Sequence, residues 1–125
     1  MEATATGGFK DLAAWQRGMD LVAHVYSATR SWPSDERFGL TSQIRRAAVS
    51  VPSNIAEGHA RTGSREFLHH VSIAFGSLAE VETQLLIATR LRDLNAEQSQ
   101  ETLHRVIEAR RPLSGLLHSL RKSRQ

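Results

Sequence analysis

Between Phe67 and Ala88 the chain sets apolar residues at Phe67, Val71, Ala74, Leu78, Val81, Leu85 and Ala88, an alternating step of four and three that never breaks. That step keeps one face of an α-helix apolar, whereas a half-buried strand would alternate at every second residue. The spacing predicts a helix over about Ser64 to Arg92. Leu68, Phe75, Ala79 and Leu86 form a second stripe beside the first, and Ile73 and Ile87 fall outside both. The core of one helical bundle needs only the narrower stripe. This helix therefore carries more apolar surface than a lone protomer buries, and self-association is the natural outlet.

Three more helices follow from the same reasoning. The first is expected from Phe9 to about Arg30, with Leu12, Trp15, Met19, Val22 and Tyr26 as its apolar face. Pro33 should stop it, because the residue before a proline is driven out of the α region, and a Ser34-Asp35-Glu36 turn follows. The second helix starts near Leu40 or Thr41 and aligns Leu40, Ile44, Ala47, Ala48, Val51 and Ile55. Pro52 lies inside it and removes the amide that would bond the carbonyl of Ala48, so a kink is expected, with Ser50, Ser53 or Asn54 available to repair the freed group. Gly58 and Gly63 should then bracket a turn.

The fourth helix should be capped by Asn95, with Gln98 three residues on. Its apolar face is Leu103, Val106, Ile107, Leu113, Leu117 and Leu120, and Pro112 predicts a kink near Glu108 to Arg111. Arg110 falls on that apolar stripe; either the proline rotates the register or Arg110 meets a carboxylate such as Glu82. Gly18 and Gly76 inside helices each cost about 1 kcal/mol relative to alanine, and close helix approach is the expected reason. Short connections make sequential helices antiparallel neighbours. The reading is an all-α, antiparallel up-down-up-down four-helix bundle forming one domain over residues 1–125, with 1–8 a flexible lead-in.

Composition narrows the function classes. Hydrophobic content of 40% and charged content of 23% are ordinary for a globular domain. There is no cysteine, which excludes disulfides and thiolate metal sites. No uninterrupted apolar run approaches the ~20 residues that span a bilayer, and the first residues lack a signal-peptide layout. A cytoplasmic protein with no membrane partner is expected. The net charge of +3 is uneven. From His104 to Gln125 six basic residues stand against Glu108 alone, a net of +5 that leaves −2 for the rest.

Candidate chemistry is sparse. Glu-x-x-His occurs as Glu66…His69 and Glu101…His104, a pattern found in di-metal bundles. Each pair opens its own helix, and antiparallel helices would separate them by almost ~40 Å at ~1.5 Å per residue. A surface metal among Glu57, His59, Glu66, His69 and His70 is the weaker option, with no diagnostic spacing. No serine sits in a nucleophile elbow, and Gly7-Gly8 precedes no strand. No catalytic site, cofactor or metal is therefore expected. Arg45 and Arg46 are the leading functional candidates, with Arg61 and Arg65 beside them if the end of the second helix folds back. Either they form a phosphate-binding strip or they pair with Asp35, Glu36, Glu57 or Glu80.

The stretch Gly39 to Gly58, with Gln43-Ile44-Arg45-Arg46-Ala47-Ala48 and Ser53-Asn54-Ile55-Ala56-Glu57-Gly58 at its heart, closely resembles the signature of a four-helix-bundle family. That family is named after proteins encoded in intervening sequences of 23S rRNA genes. Phe9-x-x-Leu12-x-x-Trp15-Gln16, Val25-Tyr26, Trp32-Pro33, Arg61 and Ala74-Phe75-Gly76-Ser77-Leu78 with Glu80 stand in matching order, up to about Leu94. The resemblance implies a left-handed protomer that assembles as a ring, in relatives a homopentamer. One branch is implied to serve diversity-generating retroelements, where a basic barrel binds RNA and DNA and partners a reverse transcriptase; this chain is less basic than that branch. Together these features point to a non-enzymatic ring-forming scaffold or adaptor, contacting nucleic acid weakly through Arg45, Arg46, Arg61 and Arg65. A metal- or small-ligand-binding helical bundle is the alternative.

Overall fold

The computed structural model of the protein describes residues 8–123, so the lead-in expected over 1–8 lies, except for Gly8, outside the described residues. The described chain is all-α, with helices α1 (Ala13–Thr29), α2 (Leu40–Ala60), α3 (Ser64–Arg90) and α4 (Ala96–Lys122). Short 3₁₀ turns occupy Phe9–Asp11 and Ser34–Glu36. Each helix packs against two others: α1 on α2 and α4, and α3 on α2 and α4. The core between them is built from Leu21, Ile44, Ile55, Leu78, Leu85 and Leu113, all essentially without exposure.

The predicted faces of α2 and α3 are the ones buried: Leu40, Ile44, Ala47, Ala48, Val51 and Ile55 on α2, and Val71 to Ala88 at the predicted step on α3. Averaged over a window, α3 reaches a mean hydropathy of 1.3, enough by length and composition to cross a membrane. This goes beyond the uninterrupted-run reading, because small polar residues weigh little in an average. In the fold its apolar stripe is packed against α2 and α4.

α1 departs from expectation twice. The chain is extended at Leu12, so the helix begins only at Ala13. Its buried residues are Ala14, Gly18, Leu21, Val25 and Thr29, one step from the predicted stripe. Met19 is 45% exposed, and Trp15 and Val22 are half-buried. The physical reason is close approach: a Cβ at Gly18 would stand 3.3 Å from both Val51 Cγ1 and Pro52 Cδ. α1 lies on α2 through its smallest residues, which turns the larger neighbouring stripe towards the outside.

Both internal prolines are carried within continuous helices. Beside Pro52, the Asn54 side-chain amide donates to the carbonyl of Ser50 (2.9 Å) rather than to that of Ala48. Asn95 caps α4 as predicted, its Oδ1 accepting from the Gln98 amide at 2.8 Å. Arg110 meets Glu82 across α3 and α4, which resolves its place on the α4 stripe. Between α1 and α4, the Thr102 hydroxyl donates to the Gln98 carbonyl and so accepts from Nε2–H of His24 at 2.9 Å. Burial holds the His24 pKa below its ordinary value; Glu101 pulls it upward and Arg105 adds to the depression.

Gly58 does not open a turn. α2 runs through it to Ala60, and Gly63, at φ 110°, takes the left-handed conformation before α3. A Cβ on Gly58 would stand 2.6 Å from His70 Cβ, so glycine here sets how closely α2 and α3 approach. Gly76 is the opposite case. Nothing lies within 4 Å of its Cβ position, so the expected helix-packing role is absent within the protomer.

Candidate interaction surfaces and the polar cleft between two helices

Close approach at Gly58 draws a row of polar side chains into register across α2 and α3. Ser50 and Ser77 hydroxyls lie 2.8 Å apart. Asn54 Nδ2 donates to Ser50 Oγ as well as to its carbonyl, each at 2.9 Å. With both amide protons so placed, Asn54 Oδ1 must be the acceptor for Nδ1–H of the buried His70, at 3.1 Å. His70 Nε2 stands 3.9 Å from Glu57 Oε2. Glu57 in turn accepts from Arg61 at 2.9 Å, and Arg61 also faces Glu66 at 3.7 Å. The Arg61 hydrogen bond holds the Glu57 carboxyl below its usual range, and His70 adds to the effect.

This row passes into a cavity of about 270 Å³ lined by Gln43, Arg46, Ala47, Ser50, Ser77, Glu80 and Gln84. The helical period turns the exposed His69 away from the Phe67–Leu85 stripe and leaves His70 on its flank. Only the paired approach of Gly58 buries it.

The four arginines do not form one strip. Arg45 donates to Thr29 Oγ1 (2.8 Å) and to the carbonyl of Tyr26 (3.4 Å), and its guanidinium lies 4.6 Å from the Tyr26 ring centre. It ties α2 to the last turn of α1, satisfying a carbonyl left open at a helix end. Arg46 points into the α2–α3 cleft. Arg61 and Arg65 lie about 15 or more residues further, over ~20 Å along the bundle at ~1.5 Å per residue. Arg61 is engaged by Glu57 and Glu66, whereas Arg46 and Arg65 make no ion pair among the described residues.

The histidine and carboxylate sets do not gather either: no group of three or more potential ligands is close together among the described residues. Glu66 faces Arg61 and His104 faces Glu108.

Two apolar surfaces remain. One is a groove of about 240 Å³ between α1 and α2, lined by Trp15, Met19, Val22, Val49, Pro52 and Ala56 with Ser53. The other is the outer face of α3, where Leu86 is 53% exposed beside Ile87 and Leu91.

Residues 10–115 match the family described as 23S rRNA-intervening sequence protein. The chain belongs to this family. A crystal structure of a protein of unknown function from the S23 ribosomal protein family of Bacteroides thetaiotaomicron is similar in fold, with a TM-score of 0.79 at 19% identity. The similarity covers 87% of this chain and 98% of that one. Among curated proteins none matches. The intervening-sequence family signature read in the sequence thus maps onto α2. Its Ser50, Asn54 and Glu57 supply the α2 side of the polar row, and its Gly58 admits His70.

Proposed function

We propose that this intervening-sequence family protein is a non-enzymatic scaffold that self-associates into a ring, five copies by family resemblance, from an antiparallel up-down-up-down protomer. The antiparallel order is supported by contact pairs that run in opposite directions: Ser50 with Ser77 and Asn54 with His70, then Thr89 with Ser99 and Glu82 with Arg110. The observation that carries self-association is the presence of two unlike apolar surfaces, the α1–α2 groove and the α3 outer face. Unlike surfaces joined head to tail generate rings when the rotation closes. The absence of an enzyme role is supported by the polar row itself: His70 bonds Asn54, and Asn54, not His70, bonds the Ser50 hydroxyl. No base is therefore set against a nucleophile there.

Light scattering at micromolar concentration should give a mass several times the 13.9 kDa of one chain. Met19→Glu and Leu86→Glu should each reduce it towards one chain, because a charge in a closed apolar interface is costly. A wild-type protein of single-chain mass would refute the proposal.

Nucleic acid is the partner we propose as a second element, favoured by the lack of ion pairs at Arg46 and Arg65 among the described residues. Repetition around a ring would extend a modest basic surface and add avidity. Mobility shift of RNA or DNA at ~50 mM salt should weaken steeply as salt rises. Arg46→Ala with Arg65→Ala should lower it while leaving the oligomer intact. Arg45→Ala should instead lower stability, since Arg45 is committed to α1. No shift at low salt would remove nucleic acid from the proposal.

A further inference from the structure

The α2–α3 cleft is a ladder of facing polar pairs, one helical turn (~5.4 Å) apart. Ser50 faces Ser77, Arg46 stands level with Glu80, and Gln43 with Gln84. The first pair is closed by a direct hydrogen bond. The second is open: Arg46 and Glu80 line the same cavity yet make no ion pair with each other or with any other described residue. The third pair is also open, and Gln84 Oε1 is buried without a hydrogen-bond partner among the described residues.

The closed pair has one donor to spare. Two hydroxyls hold two protons, only one of which can lie between them. Ser50 Oγ accepts from Asn54, and Asn54 is held by His70, so the hydroxyls are fixed from behind. Whichever serine donates to the other, one O–H proton is left over. Both serines line the cavity, and Ser77 is only 6% exposed, so the pair forms its floor.

Donors and acceptors are therefore sorted by wall. The α2 wall offers the Arg46 guanidinium, with the spare hydroxyl at the floor; the α3 wall offers the Glu80 carboxylate. We infer that this cleft binds a compact zwitterion of the α-amino-acid type, its carboxylate on Arg46 and the floor hydroxyl, its ammonium on Glu80. A planar carboxylate suits a guanidinium. An ammonium brings three donors and suits the carboxylate oxygens of Glu80. The volume of about 270 Å³ falls just below the range of drug-sized ligand sites, which begins near ~300 Å³, and so admits only a small molecule. No aromatic side chain lines the cavity, which disfavours a stacked nucleobase, and a single carboxylate is too little for a metal ion. The inference does not depend on the scaffold reading.

Ligand-observed saturation-transfer NMR on the full-length protein, with glycine and L-glutamine as probes, tests it. Both should bind saturably with Kd on the order of 1 mM. Acetate and methylammonium, each carrying half the charge pattern, should bind at least about tenfold more weakly. Glu80→Gln and Arg46→Gln should each weaken glycine by about tenfold, and Arg46→Lys by less, since it keeps the charge but loses the fork. Sedimentation and thermal melts of the same samples read folding and assembly separately from binding. No saturation by about 20 mM, or glycine binding unchanged in a Glu80→Gln protein that melts like wild type, would overturn the inference.

Discussion

Leu85→Ala should be strongly destabilising, costing about 2–5 kcal/mol. Leu85 has no exposed surface and belongs to the core of the bundle. Truncation removes buried methyl groups and leaves a cavity that surrounding helices can close only in part. A domain of this kind holds about 5–15 kcal/mol in total, so the loss is a large share of its stability. Urea unfolding at fixed protein concentration should show a clearly lower midpoint with an unchanged slope. An unfolding free energy within ~0.5 kcal/mol of wild type would mean that the α3 stripe is not the principal core.

The second large effect separates two glycines that a propensity argument treats alike. Alanine is preferred over glycine inside a helix by about 1 kcal/mol. At Gly58 the new methyl would meet His70 Cβ at 2.6 Å and Phe67 Cδ1 at 3.1 Å. Neither is the free end of a flexible chain, so α2 and α3 must move apart. Overpacking of that kind costs about 1–3 kcal/mol, and it strains the Asn54–His70 bond. Gly58→Ala should therefore be destabilising despite its helix propensity. Gly76→Ala meets nothing within 4 Å in the protomer and should leave protomer stability unchanged or raise it by up to ~1 kcal/mol. Thermal melts of both variants check the pair. A Gly58→Ala protein more stable than wild type would show that backbone propensity, not helix approach, governs Gly58.

Candidate chemistry was less legible than architecture. The arginines were visible as a run, but the role of each depends on what stands opposite. Arg45 reaches the Tyr26 ring and Thr29 across α1, a pairing that no spacing within α2 encodes. Arg46, its neighbour, points to the other side of the helix because successive residues turn by ~100°. His70 and His69 are adjacent and chemically identical, yet one is buried against Asn54 and the other is exposed. The helical period sets His69 opposite the α3 stripe and His70 on its flank. Burial of His70 further depends on Gly58, and glycine suits a turn as well as a close helix approach.

What the sequence by itself determined is the number of helices, their approximate limits, the Asn95 cap and the buried faces of α2 and α3. All of these rest on interactions between residues a few positions apart, which a periodic pattern records directly. The tertiary structure alone decided which of two adjacent stripes on α1 faces inward. Trp15, Met19 and Val22 outweigh Ala14 and Gly18 in hydrophobicity, but the smaller residues let α1 approach Val51 and Pro52 closely. Burial is won by the face that brings the most atoms into contact, and that depends on the shape of the neighbouring helix. The same holds for the polar cleft. Its pairs come from residues 27 or more positions apart in the chain, brought level only when α2 and α3 pack.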